Sequence, residues 1–201
     1  LRFSSGDSEA SVTGFHSDYD NLIGRCRVSD PNCVPGSEFN GGQVEITGVE
    51  FSALHAMSLP ASIELEVALS YTYTESEFGE TFFSGFSQWG LVREGDELPY
   101  VPESIGNARV SLYRNDWSIE ASIDSQSKMR EVPGAGLIEE DLHADDFATV
   151  DLTVSYRANE KLTWQLLLLN AADEAAIVSH RPFGARPNRP RSLIGRVKYQ
   201  F

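Results

Sequence analysis

Polar and apolar residues alternate with a period of two along most of this chain. Ile63, Leu65, Val67, Leu69, Tyr71 and Tyr73 are interleaved with Glu64, Glu66, Ala68, Ser70, Thr72 and Thr74. Successive side chains of a strand point to opposite faces, so this spacing collects the apolar groups on one face, whereas a helix would scatter them around its axis. The pattern recurs at Ala108, Val110 and Leu112, at Trp117, Ile119, Ala121 and Ile123, and at Val150, Leu152, Val154 and Tyr156. It returns at Leu193, Gly195, Val197, Tyr199 and Phe201, where the last strand is expected to end on Phe201. Leu162, Trp164, Leu166 and Leu168 make a less clean case, because Leu167 and Leu169 are also apolar. Two more strands are expected near residues 9–20 and 43–58, the second changing phase at Gly48, where a β-bulge would be natural. The total is about eight strands, each close to the roughly 9–11 residues of a tilted membrane crossing.

The connections alternate in length. Short turns fall at residues 59–61, 114–116 and 158–161, and long segments at 25–42, 75–97, 130–146 and 171–191. An antiparallel up-and-down meander then carries its short turns at one end and its long loops at the other, the asymmetry of outer-membrane barrels. Tyr113, Trp117, Tyr156, Trp164, Tyr199 and Phe201 fall near the short-turn ends of their strands, and Tyr71 and Tyr73 near a long-loop end. Amphipathic rings favour the headgroup level, so this placement suits interfacial girdles; the competing reading is a soluble β-sandwich core.

Composition removes several function classes. Hydrophobic residues form 41% of the 201, which excludes a disordered chain. No segment approaches the roughly 20 apolar residues of a membrane helix, a test that β-strands escape. A formal net charge of −14 argues against nucleic acid as a partner. Glu64, Glu66, Glu120, Asp124, Asp151, Arg157, Arg196 and Lys198 are well placed around a wet lumen. Cys26 and Cys33 lie close together in a Pro- and Gly-containing stretch and suit a disulfide in an oxidising compartment; two free thiols are the alternative. The chain opens Leu1-Arg2-Phe3 without a secretory leader, and it is expected to start inside a longer protein. No catalytic motif or metal-ligand spacing is found, so neither an enzyme nor a bound cofactor is expected. Asp141, His143, Asp145 and Asp146 read as a solvated acidic loop, and His16 and His55 as structural or interfacial.

The segment Arg189-Pro190-Arg191 leading into a strand that closes Tyr199-Gln200-Phe201 resembles the end of TonB-dependent outer-membrane receptors. Gly48-Val49-Glu50 and Leu98-Pro99-Tyr100-Val101-Pro102-Glu103 resemble further motifs of that family in the right order. Leu169-Asn170 with Asp173-Glu174 matches its Asn-Leu-Phe-Asp segment only in part, since Ala171 and Ala172 replace the bulky pair. His180 to Pro187 resembles the last extracellular loop of ferric-dicitrate-type members. The resemblance implies a transmembrane barrel of about 22 strands with a plugged lumen, of which this chain would hold about the last eight. It also implies uptake of a ferric citrate or siderophore complex driven through TonB, whose contact segment and plug would lie outside this chain. Tyr199 and Phe201 look like the signal read by the barrel assembly machinery.

Arg181, Arg186, Arg189 and Arg191 crowd one long loop of an otherwise acidic chain. Guanidinium groups match carboxylates through bidentate hydrogen bonds. Arg181, Arg186, Arg189 and Asn188 are therefore the candidate cargo contacts. The competing role for them is pairing with acidic loops or with lipopolysaccharide phosphates. A small self-contained outer-membrane barrel with a structural or adhesive role is the rival to the transporter, and an outer-membrane hydrolase comes third.

Overall fold

A computed structural model describes residues 1–26, 34–86, 88–138, 143–181 and 184–201. Its main feature is one antiparallel sheet of nine strands among the described residues, taken in chain order without a crossover. They are β1 (Arg2–Ser5), β2 (Ser8–Tyr19), β3 (Val44–Leu59), β4 (Ile63–Phe78), β5 (Ser104–Arg114), β6 (Trp117–Gln126), β7 (Phe147–Arg157), β8 (Leu162–Leu169) and β9 (Ser192–Tyr199). Sequence alternation identified eight of these; β1, four residues long, carries too short a pattern to announce itself. The sheet is open, with β1 and β9 as its edges.

The alternation of connections is as expected, and Gly6-Asp7 adds a further short turn. Gly6 at φ +56° and Asn115 at φ +52° supply the left-handed residues that tight hairpins need. Each long loop folds back on itself as a small antiparallel ribbon. The ribbons pair Ile23–Arg25 with Glu38–Asn40, Phe82–Phe83 with Leu91–Val92, Met129–Arg130 with His143–Ala144, and Ile177–Ser179 with Arg186–Pro187.

Register makes the two faces explicit. Val67, Val110, Ala121, Leu152, Leu168 and Leu193 stand directly opposite one another across successive strands from β4 to β9, forming one apolar row. The row beneath it runs Leu65, Leu112, Ile119, Val154, Leu166 and Gly195. Many of these side chains are exposed, including Val110, Ile119, Leu152 and Leu166. A contiguous apolar surface of this extent on a sheet has to meet something other than water. The opposite face carries Glu66, Ser111, Glu120 and Thr153 in one row and Ser70, Asn107, Asp124 and Thr149 in another. Tyr113 falls on this polar face, opposite Glu64 and Ser118, so it does not join the outward aromatics.

Two expectations need correction. Neither pairing of β3 shifts at Gly48: the registers with β2 and β4 run unbroken through it, so there is no bulge. The apparent change of phase comes from solvent. β3 and β4 are each 16 residues long, more than a crossing requires, and β4 continues to Phe78, into the stretch expected to be loop. Above Tyr71 and Tyr73 the faces exchange character. His16, Asp18, Glu45, Thr47, Glu75 and Glu77 continue the apolar face, while Val44, Ile46 and Phe78 continue the polar one. Val44 and Phe78 are fully buried there with Val92 and Leu98 in a core of the long loops, which Trp89, Phe82 and Leu22 extend. Gly48 itself is needed because a Cβ would collide with the Phe15 ring and with the Tyr73 carbonyl. The second correction is at the end of the chain. β9 stops at Tyr199, and Phe201 lies beyond it with its ring edge-on to Tyr199 at 5.2 Å between centroids.

Candidate functional site

The long loops gather at one end of the sheet, and the residues singled out for chemistry lie among them. In the loop of residues 170–191, Arg189 Nη2 stands 3.6 Å from Asp151 Oδ2, and Arg191 Nη2 stands 3.0 Å from Asp173 Oδ2. The amide of Asn188 is taken up internally: its Nδ2 donates to the Glu174 carbonyl at 3.0 Å and its Oδ1 accepts the Ala176 N–H at 3.3 Å. Arg181 and Arg186 make no ion pair among the described residues, and Arg186 is exposed in the ribbon opposite Ser179. The structure therefore divides the four arginines, with Arg189 and Arg191 held by loop carboxylates and Arg181 and Arg186 left over.

Asn170 stands out in the sequence only as part of a partial motif. It is the clamp of this loop: at 1% exposure its Nδ2 donates to the Glu174 and Arg189 carbonyls, its Oδ1 accepts the Glu174 N–H, and its own N–H donates to Asp151 Oδ1. Its φ of +48° is one that Asn tolerates better than most residues. Burial here, rather than spacing, reveals the role.

A cavity of about 690 Å³ opens beside this loop, with Glu97, Glu103, Asp146 and Glu174 on its wall against Lys128 and Arg130. Tyr100 lies nearby at φ +62°. Burial pushes its phenol above the ordinary value of 10.0; a hydrogen bond with Ser179 works in the opposite direction.

The expected acidic loop does not stand free. Asp145 Oδ2 accepts the Ile177 N–H at 2.6 Å, and Asp145 Oδ1 lies 3.4 Å from His143 Nε2; Asp141 lies outside the described residues. Cys26 is buried and disulfide-bonded, while Cys33 lies outside the described residues. His55 shares a 2.7 Å hydrogen bond with the Ser8 hydroxyl on the apolar face. His16 approaches Asp18 at 3.1 Å, Thr47 at 3.0 Å and Glu45 at 3.6 Å, an exposed group that sequence spacing missed because it spans two strands. Both imidazole nitrogens already have hydrogen-bond partners there, so a satisfied surface histidine accounts for the contacts.

Comparison with known proteins follows this geometry closely. The family model for "TonB dependent receptor-like, beta-barrel" matches residues 1–171. The iron-regulated outer membrane virulence protein of Vibrio cholerae is 27% identical over 205 residues, covering 97% of this chain and 29% of that protein. The unliganded ferric citrate transporter FecA superposes with a TM-score of 0.72 at 17% identity, over 100% of this chain and 30% of that one. The siderophore receptor PiuA of Acinetobacter baumannii gives 0.69 at 15% identity, over 98% and 26%. The chain thus spans less than a third of the length of the relatives it matches. With its meander, apolar belt and ribbon-forming loops all in place, this chain belongs to the TonB-dependent receptor β-barrel family of the outer membrane.

Proposed function

We propose that this chain is a sector of an outer-membrane receptor that takes up a ferric chelate with energy delivered through TonB. The supporting observation is the pairing of two features on one sheet: a lipid-facing apolar belt, and a loop cap at one end that bears arginines with no ion pair among the described residues. Three of the relatives are named for iron regulation, ferric citrate and siderophores, and a fourth is named a copper transporter. The open edges at β1 and β9 are paired, in this reading, by strands outside the chain, which together close a larger barrel around a plug. The long loops face the medium and the short turns face the periplasm. Lipopolysaccharide surrounds the belt, and the closing Tyr199 and Phe201 direct assembly.

Ferric citrate and carboxylate siderophores are anionic, and Arg181 and Arg186 are two guanidinium groups of the last loop available to them. The experiment is uptake of radiolabelled iron by iron-starved cells that carry only the full-length receptor, supplied with defined chelates in turn. Uptake of at least one chelate that disappears with the receptor gene supports transport; none above the deletion background refutes it. An Arg181→Ala/Arg186→Ala variant that retains full uptake removes these arginines from cargo binding without touching the transport reading.

A second reading of the cargo has its own observation. Glu97, Glu103, Asp146 and Glu174 outnumber Lys128 and Arg130 on the cavity wall, and Arg130 is already neutralised by Glu97. An acidic wall favours a neutral or cationic chelate over a polyanionic one. The same chelate panel separates the two readings by charge.

A further inference from the structure

The second, third and fourth long loops, residues 79–103, 127–146 and 170–191, meet at one dipeptide, Arg130-Glu131. Both residues are charged and nearly sealed from water, at 7% and 3% exposure. Arg130 reaches into the second loop. Its Nε donates to Glu97 Oε2 at 2.8 Å and its Nη2 to Glu97 Oε1 at 3.4 Å, and Nη2 also donates to the Gly136 carbonyl. The backbone reinforces this seam on either side. The Arg130 carbonyl accepts the Tyr100 N–H at 2.8 Å, and the Gly134 carbonyl accepts the Glu97 N–H at 2.8 Å.

Glu131 reaches the other way, into the fourth loop, and its carboxylate also lies against the Tyr100 phenol of the second. Its Oε1 accepts the His180 N–H at 2.6 Å, and its Oε2 lies 3.3 Å from His180 Nδ1, off the line of a hydrogen bond. Asp145 adds a reciprocal pair to this seam, accepting the Ile177 N–H and donating its own N–H to the Ile177 carbonyl.

Parting either seam alone leaves a charge in a poorly solvated site without its partner. Arg130 would be stranded in one case and Glu131 in the other, a far larger penalty than losing a surface ion pair. The two charges are adjacent in the chain, so the backbone that positions one also positions the other. We propose that Arg130 and Glu131 act together as positioning residues that make the second, third and fourth long loops open and close as one cooperative unit. The inference holds whatever cargo the receptor carries.

The test is amide hydrogen exchange on the full-length receptor in detergent, read by mass spectrometry at peptides covering residues 94–97, which Glu131 does not touch, and 177–180. Arg130→Lys keeps the charge and removes the fork, and Glu131→Gln keeps the shape and removes the charge. Arg130→Lys is expected to speed exchange about tenfold or more at 177–180, which Arg130 does not touch, as well as at 94–97. Glu131→Gln is expected to do the converse, and the double variant to show less than the product of the two effects. The proposal is overturned if each variant accelerates only the segment it contacts and leaves the other within about twofold of wild type. Unchanged gel mobility of the unheated receptor checks that the barrel has folded, and if one variant fails that check the cross-effect of the other decides.

Discussion

Leu152 marks the depth at which a charge should do most damage. It belongs to the row Val67, Val110, Ala121, Leu152, Leu168, Leu193, midway between the level of Trp117 and Tyr156 and the level of Tyr71. On β6 those levels correspond to Trp117 and Ser125, with Ala121 halfway between. That separation is about 26 Å along the strand at about 3.3 Å per residue, or about 20 Å along the membrane normal at a tilt of about 40°. The belt therefore fits a hydrocarbon layer, and Leu152 lies near its midplane. Leu152→Arg is expected to cost about 2–4 kcal/mol there, a factor of roughly 30 to 1,000 in the folding equilibrium. Thr153 sits one residue on, at nearly the same depth, on the polar face and opposite Glu120. Thr153→Arg should cost no more than about 0.5 kcal/mol, since it adds a charge beside a carboxylate in a wet environment. The assay is urea titration of the full-length receptor refolded into lipid vesicles, followed by tryptophan fluorescence and by gel mobility without heating. Equal losses for the two variants, or a larger loss for Thr153→Arg, would show that the faces have been assigned the wrong way round.

Other perturbations read other parts of the fold. Gly48→Val drives a side chain into the Phe15 ring and the Tyr73 carbonyl, and a loss of about 1–3 kcal/mol is expected in the same urea titration. Asn170→Ala strands the Glu174 N–H and the Arg189 carbonyl, while the Glu174 carbonyl keeps its bond from Asn188, so about 1–3 kcal/mol of local stability should disappear, visible as faster hydrogen exchange across residues 170–191 and little change elsewhere. Ala61→Gly should stabilise the turn between β3 and β4 by about 0.5–1 kcal/mol, because Ala61 sits at φ +63°; an unchanged urea midpoint would count against strain at that position. The Tyr100 phenol is held above 10.0 by burial, so the closed loops bind its proton more tightly than the opened loops do. Its stabilising contribution is complete below 10.0 and is lost as pH rises above that, through the raised value of the closed loops, and Tyr100→Phe should flatten the alkaline acceleration of exchange at residues 97–100.

What the sequence made legible was whatever depends on the bilayer. Period-two alternation from Ile63 to Tyr73 and from Val150 to Tyr156 predicted strands and faces, and the registers agree with it residue by residue. The strand Arg2–Ser5 escaped because four residues carry barely two repeats. The loop cap was nearly illegible for a different reason. Its order rests on contacts between loops far apart in sequence, such as Glu97 with Arg130 and Glu131 with His180. A run of polar residues looks the same whether its charges are solvated or buried in pairs. The arginines of the last loop were conspicuous by composition, yet only the structure separated Arg189 and Arg191, which have carboxylate partners, from Arg181 and Arg186.

The absence of a bulge at Gly48 shows how far a polarity pattern can be trusted. Alternation of apolar and polar residues records which face is dry, and not where the backbone turns. Within the bilayer the outside of the sheet is dry, so Val49, Phe51 and Ala53 of β3 point outward to Tyr73, Tyr71 and Leu69 of β4. A few residues higher the strands leave the lipid. The outside there is wet, and the dry region is the space under the loops where Val44 and Phe78 pack against Val92. The backbone holds its register through both environments, and only the solvent has changed sides. The place where the apolar residues cross from one face to the other is therefore the level of the outer membrane surface, read from sequence as a phase change. On β2 the same crossing separates Val12 from His16 and Asp18, and on β4 it separates Tyr73 from Glu75 and Glu77. These positions fall on adjacent rows, as a single plane through neighbouring strands requires. A polar substitution at Val49 should thus be felt by lipid, and a polar substitution at Ile46 by the loop core, although the two residues stand three apart on one unbroken strand.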